Sequence, residues 1–253
     1  MSYAENFYLA ADDILTTNAD YLDALENPVF LITGHSRGAA VGNMLAARLT
    51  DRFGAETVSA YTFATPRTVR GEYPEYSNIF NIINPADVIT YLPFPQWGFE
   101  RYGIDLILPT DSGDVELEAK AEAAYLERSD ISGRFSTFPV EITQTLVAEM
   151  AALVPGTAED LAMRHALTHT GEAAADEPGM TASDFFLALF SGQLTSGVGN
   201  SPELAALTGS QNDFTPLLQT MQSLKEYDSK GLTAAHMPAT YGAWMTVIAE
   251  LNP

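Results

Sequence analysis

Apolar positions along the chain change period three times. Over residues 4–25, Phe7, Ala10, Ala11, Ile14, Leu15, Leu22 and Leu25 recur near helical spacing, so an amphipathic helix is expected, stopped by Asn27-Pro28. Val29-Phe30-Leu31-Ile32 follows as a short unbroken apolar run with β-branched and aromatic residues, the pattern of a buried strand. Residues 37–53 return to helical character and carry many small side chains (Gly38, Ala39, Ala40, Gly42, Ala46, Ala47). Val58–Phe63, Ile79–Ile83 and Ile104–Leu108 read as three more strands. Strand, helix, strand and strand predict an α/β layer with mostly parallel order. Beyond residue 112 the pattern is helical over 115–128, 139–153, 157–170, 181–191, 213–227 and 237–251, with Gly and Pro in the connections. A division follows into a core over 1–110, a helical cap or insertion over 111–231, and a return to the core over 232–253.

The strand over 29–33 and the helix over 39–49 are joined by Gly34-His35-Ser36-Arg37-Gly38, a G-x-S-x-G sequence. Five residues with three fixed are a weak signal alone. Between a strand and a helix of small residues they are what a nucleophile elbow requires, because side chains beside so tight a turn would strike the strand and the helix. Gly34 and Gly38 are expected to remove them. Ser36 would stand at a helix N-terminus, where unpaired N–H groups favour developing negative charge, with the Arg37 N–H as an oxyanion donor.

A serine nucleophile needs a base, and the base needs an orienting acid. The chain has four histidines. His35 lies inside the elbow and is read as structural. His165 and His169 are four apart on an expected helix, without the glutamate of an H-E-x-x-H site, and read as surface or packing residues. His236, in Ala234-Ala235-His236-Met237-Pro238, is placed in a loop before the last helix, free to reach the edge of the sheet, and is the candidate base. Asp87, in the loop leaving the third strand, is the candidate acid. An alternative role for it is as helix cap or turn former after Pro85. The order Ser36, Asp87, His236 is the order of hydrolase triads.

These pieces together resemble the class 3 lipases, the fungal triglyceride lipase type of the α/β-hydrolases. The resemblance rests on Ile32-Thr33-Gly34-His35-Ser36-Arg37-Gly38-Ala39-Ala40, on Tyr61-Thr62-Phe63-Ala64-Thr65-Pro66-Arg67, and on Asn81-Ile82-Ile83-Asn84-Pro85-Ala86-Asp87-Val88-Ile89-Thr90 with Leu92-Pro93. His236 with Tyr241 behind it completes it. It covers residues 4–95 well and 232–245 loosely. It implies an α/β-hydrolase-like fold, Ser36, Asp87 and His236 as nucleophile, acid and base, and hydrolysis of lipid-like acyl esters without a cofactor. Two departures stand out. The stretch from Asp87 to His236 is long for the family, its surplus read as the helical insertion. Only 35 residues precede Ser36, where the family builds several strands and takes its second oxyanion donor. Those strands are therefore expected to be missing, leaving a sheet edge for the helical half, a preceding segment or a second copy to cover. A binding module with little turnover, or acyl transfer through the same residues, is the alternative to ester hydrolysis.

Composition narrows the partners. Lys and Arg number 12 against 33 Asp and Glu, for a net charge of −21, which disfavours nucleic acid and simple docking on anionic lipid. There are no cysteines, so thiolate chemistry is excluded. No apolar stretch approaches the roughly 18 residues of a spanning helix, and no signal peptide is visible. The cytoplasm is the default compartment, with secretion if a segment precedes Met1. No metal is expected: Asp111–Asp114 is too short for a calcium loop, and the carboxylates from Asp111 to Glu127 read as a solvated face. The aromatic loop 91–102 reads either as an acyl-pocket lining or as packing, and the apolar helix 181–190 as a lid or a buried helix.

Overall fold

The computed structural model describes residues 2–3, 5–128, 135, 139–153 and 229–251. The expected helices over 157–170, 181–191 and 213–227, and with them His165 and His169, lie outside the described residues.

The centre is a parallel sheet of four strands in the order β2 (Phe30–His35), β3 (Val58–Phe63), β5 (Ile79–Ile83), β7 (Ile104–Ile107). Phe30 is in register with Val58, Ala60 with Ile79, and Phe80 with Ile104. The fold is thus α/β with a parallel sheet, as the strand pattern predicts. Among the described residues β2 is paired on one side only.

Helix α3 (Arg37–Phe53) crosses from β2 to β3 and packs on one face of the sheet. Its small residues permit a close approach: a Cβ on Gly42 would stand 3.3 Å from Ile32 Cγ2. Met44, Ala47, Val58, Ala60 and Ile79 form the core there, with Ala11 of α1 (Glu5–Thr17) closing it. Burying these side chains supplies about 25 cal/mol for each Å² of apolar surface removed from water.

The amphipathic run at the N-terminus is two helices rather than one, α1 and α2 (Ala19–Asp23). Asn18 separates them with φ −104° and ψ 17°, and its side-chain amide donates to the Ile14 carbonyl at 2.7 Å. A short amide side chain competes with the backbone for such carbonyls, which breaks the helix there.

A polar seam runs through this core. Asn43 of α3 donates to Asn81 Oδ1 at 2.9 Å and to the Tyr102 carbonyl at 2.8 Å, and accepts from the Thr68 hydroxyl at 2.8 Å. Thr62 also donates to Asn81 Oδ1, at 2.8 Å. All of these side chains are fully buried, so each bond replaces one that would otherwise be lost to water.

Helices α4 (Val115–Arg128) and α7 (Pro238–Leu251) form a second core with the sheet, in which Ile82, Ala121, Tyr125, Tyr241, Trp244 and Val247 meet. Asp114 caps α4, its Oδ1 accepting from the N–H groups of Glu116 and Leu117 at 3.1 Å each. Helix α5 (Val140–Leu153) lies against the turn that carries Asp87, with Thr143 Oγ1 donating to the Ala86 carbonyl at 2.9 Å. Leu31, Tyr61, Ile104 and Leu106, on the sheet face opposite α3, are exposed among the described residues.

Two further elements depart from expectation. A second, antiparallel sheet joins β1 (Ser2–Tyr3), β4 (Val69–Arg70) and β6 (Phe99–Glu100). Strands of two residues carry no period to read. Residues Ser229–His236, expected as loop, form helix α6. Within the loop 91–102, Leu92, Phe94, Phe99 and Tyr102 are buried, which supports packing as the role of those side chains. No described helix is long and apolar enough to cross a membrane.

Candidate active site

Everything that meets here sits at the carboxyl end of the parallel strands, where ligand sites of open α/β sheets gather. Strand β2 runs into Ser36, whose N–H still donates to the Phe63 carbonyl at 3.0 Å, as the ladder requires. The chain then turns straight into α3. The turn forces Ser36 to φ 57° and ψ −125°, a region L-residues seldom enter and one that costs of order 1–3 kcal/mol. The strain holds the side chain out at the sheet edge, at the positive end of α3.

Gly34 makes the corner sterically feasible. A Cβ there would stand 2.5 Å from the Gly38 carbonyl oxygen and 2.9 Å from the Ala39 nitrogen. Gly38 is different: a Cβ on it would meet nothing within 4 Å. The expectation that both glycines relieve a collision is corrected for Gly38, because the crowding comes from its backbone pressing on Gly34. Arg37 opens α3, in the first turn, where N–H groups have no partner within the helix.

His236 ends α6, and Met237 separates it from Pro238, the first residue of α7. The histidine therefore stands at a corner between two helices rather than in a free loop. Its Nε2 lies 2.8 Å from Ser36 Oγ, and its Nδ1 lies 2.9 Å from Asp87 Oδ2. The structure thus brings together Ser36, Asp87 and His236, from positions spread over 200 residues. With Nδ1–H donating to the carboxylate, Nε2 is the acceptor facing the serine hydroxyl.

Asp87 follows β5 and is fully buried. Its Oδ1 accepts from the Ile89 N–H at 3.0 Å and caps the short 3-10 turn Val88–Tyr91. Its Oδ2 accepts from Tyr241 at 2.7 Å as well as from His236. The turn-forming role and the histidine contact are both realised, on different oxygens. The same turn is anchored by buried Arg101, which donates to the Thr90 and Thr65 carbonyls and, at 2.7 Å, to Asp105.

Two further residues have parts that their sequence positions did not reveal. The Tyr241 hydroxyl, besides donating to Asp87, accepts from the Asn84 N–H at 3.2 Å. Burial, then the negative charge of Asp87, pushes its ionisation well above the ordinary tyrosine value. His35 donates from Nε2 to the backbone carbonyl of His236 at 2.8 Å. Burial, and secondly the neighbouring His236, lower its pKa below the usual 6.5. Both residues lie within five positions of an expected site residue, but their contacts span 154 and 201 positions. A sequence signal existed for Tyr241: a tyrosine among apolar residues on a buried helix needs a hydrogen-bond partner.

A serine at a strand–helix corner on a parallel sheet, with a histidine and a buried carboxylate in line, is an arrangement of the α/β-hydrolase type. Residues 2–97 match the family described as lipase (class 3). Among solved structures, the lipase from Rhizopus microsporus var. chinensis is 20% identical with a TM-score of 0.36, over 42% of this chain and 41% of that one. Triacylglyceride lipase from Rhizomucor miehei is 22% identical with a TM-score of 0.35, over 44% and 46%. Lipase II from Rhizopus niveus is 18% identical with a TM-score of 0.33, over 41% and 42%. The match thus covers less than half of each of these lipases. No curated protein matches the chain.

Proposed function

We propose that this protein is a serine carboxylic-ester hydrolase acting on lipid-like, acylglycerol-type esters. The observation that carries the reading is the unbroken hydrogen-bonded line from Ser36 Oγ through the His236 ring to the buried Asp87 carboxylate, at 2.8 and 2.9 Å. The class 3 lipase match over residues 2–97 supports the substrate class.

In this reading Ser36 Oγ attacks the acyl carbonyl while its proton passes to His236 Nε2. The imidazolium is stabilised by Asp87, which keeps its own charge. Negative charge on the former carbonyl oxygen is met by the Arg37 N–H and the positive end of α3. Collapse of the tetrahedral species breaks the ester C–O bond, and the leaving alkoxide takes the proton from Nε2. Water, deprotonated by the same nitrogen, then attacks the acyl-serine; the C–Oγ bond breaks, Ser36 Oγ takes the proton back from Nε2, and the carboxylic acid departs. Every group needed to move the proton is in the chain, so no cofactor enters. The core 1–110 and the return over 232–253 would then supply the reacting groups, and the stretch 111–231 the cap.

The test is labelling with a fluorophosphonate, together with p-nitrophenyl butyrate turnover. Wild type is expected to be labelled and to release a burst of nitrophenol, and Ser36→Ala to do neither. Labelling that persists unchanged in Ser36→Ala, or no labelling of folded wild type, overturns the proposal.

A further inference from the structure

We infer that His35 is a positioning residue for the base: its ring pins the backbone of His236 so that the imidazole of His236 is held on Ser36 Oγ. The inference rests on the hydrolase reading above and deepens it. Three observations carry it. His35 Nε2 donates to the His236 carbonyl at 2.8 Å, tying the residue before the nucleophile to the residue that bears the base. The two imidazoles lie 4.9 Å apart between centroids at 47°, and the His35 ring meets Tyr241 edge-on at 5.8 Å, so the ring is clamped from α6 and from α7. Finally, His236 is the last residue of its helix, with Met237 alone before Pro238. The carbonyls of a helix's last turn lack partners within the helix. The His35 bond gives this one a partner and fixes the direction in which the residue projects.

The geometry couples two positions that must agree. Ser36 is set by the strained corner after β2. His236 is set by a corner between helices on the other side of the sheet. A bond between immediate neighbours of both reacting atoms removes the slack between them. A misplacement of about 1 Å at such a site can cost on the order of 10²-fold in rate.

The charge state matters as well. Among the described residues, the ionisable groups facing His35 are His236 on α6, Tyr241 on α7 and Asp87 after β5. A neutral His35 still donates from Nε2, yet adds no positive charge beside the imidazolium that forms on His236 during attack. A charged side chain here would hold the carbonyl but oppose that step.

The experiment compares His35→Leu, which removes the donor, with His35→Gln, whose amide can donate from nearly the same place without charge. Rates are expressed per site titrated by the nitrophenyl-ester burst, so loss of folded protein does not count. His35→Leu is expected to lower kcat 10- to 100-fold with KM little changed, and His35→Gln to recover most of the loss. In parallel, the downfield proton resonance of the His236–Asp87 bond is recorded; it is expected to broaden or vanish in His35→Leu and to return in His35→Gln. This readout needs no turnover, so it separates failure of the inference from failure of the hydrolase reading. Equal kcat per site in His35→Leu and wild type, or an unchanged downfield resonance in His35→Leu, overturns the inference.

Discussion

Tyr241 donates its hydroxyl proton to Asp87 Oδ2 at 2.7 Å, the same oxygen that receives His236 Nδ1. The phenol, 2% exposed, also takes the Asn84 N–H, so it is satisfied on both sides. Tyr241→Phe leaves Asn84 N–H without this acceptor and Asp87 with one donor fewer. It is expected to destabilise the fold by about 1–3 kcal/mol, the cost of an unmet buried polar group, measured by urea unfolding. A pH series adds a second check. The tyrosine's ionisation is raised in the folded state, so the folded protein favours the neutral phenol. That contribution is complete below the ordinary tyrosine value near 10 and declines as pH rises beyond it. Wild type should therefore lose stability more steeply than Tyr241→Phe above about pH 10. Parallel curves would remove this role from Tyr241.

The elbow glycines should behave unequally. Gly34→Ala drives a Cβ to within 2.5 Å of the Gly38 carbonyl oxygen, and backbone must move to relieve it. Destabilisation of about 1–3 kcal/mol is expected, with loss of fluorophosphonate labelling. Gly38→Ala has open space and should fold with a thermal midpoint within a few degrees of wild type. A larger loss from Gly38→Ala than from Gly34→Ala, in calorimetry, contradicts this account of the corner.

His35 contributes to the acid limb of stability. Its pKa is lowered by folding, chiefly through burial, so the unfolded chain binds the proton more readily. The contribution is whole above the ordinary histidine value of about 6.5 and drains away as pH falls below it toward the folded value. His35→Gln should flatten the fall in unfolding free energy below that pH. A slope identical to wild type would mean that another group governs it.

Asn43→Ala is expected to destabilise more than any change on the exposed carboxylate face. It strips Asn81 Oδ1, the Tyr102 carbonyl and the Thr68 hydroxyl of one partner each, all without access to water. About 2–4 kcal/mol is expected from denaturant midpoints, against less than about 0.5 kcal/mol for Glu122→Ala on exposed α4.

What the sequence made legible follows from how locally each feature is encoded. The corner at Ser36 could be read because a strand, three fixed residues and a run of small side chains are contiguous. The order of Asp87 and His236 could be read because few histidines compete. The parallel sheet was visible as four separate β-branched runs. Helix α6 was not, since Gly231 and Thr233 are poor helix formers and the helix is stabilised instead by burial of Ala234 and Ala235 and by the Thr240 hydroxyl, which donates to the Ala234 carbonyl. The short antiparallel sheet has no period at all. Asn43 and Asn81 carry no signal of their own in the pattern. Their meaning lies in each other, 38 positions apart. The tie from His35 to residue 236 is of the same kind: a hydrogen bond between distant segments leaves no trace in either segment alone.

The corner between α6 and α7 has a consequence for how the molecule is made. Translation delivers the serine strand and the aspartate turn well before the imidazole that faces them, which follows the aspartate by 149 positions. A growing polypeptide halted between codons 36 and 236 carries the hydroxyl without the ring that stands 2.8 Å from it in the finished fold. The three side chains can therefore meet only once residue 236 has been added, 200 positions beyond the serine.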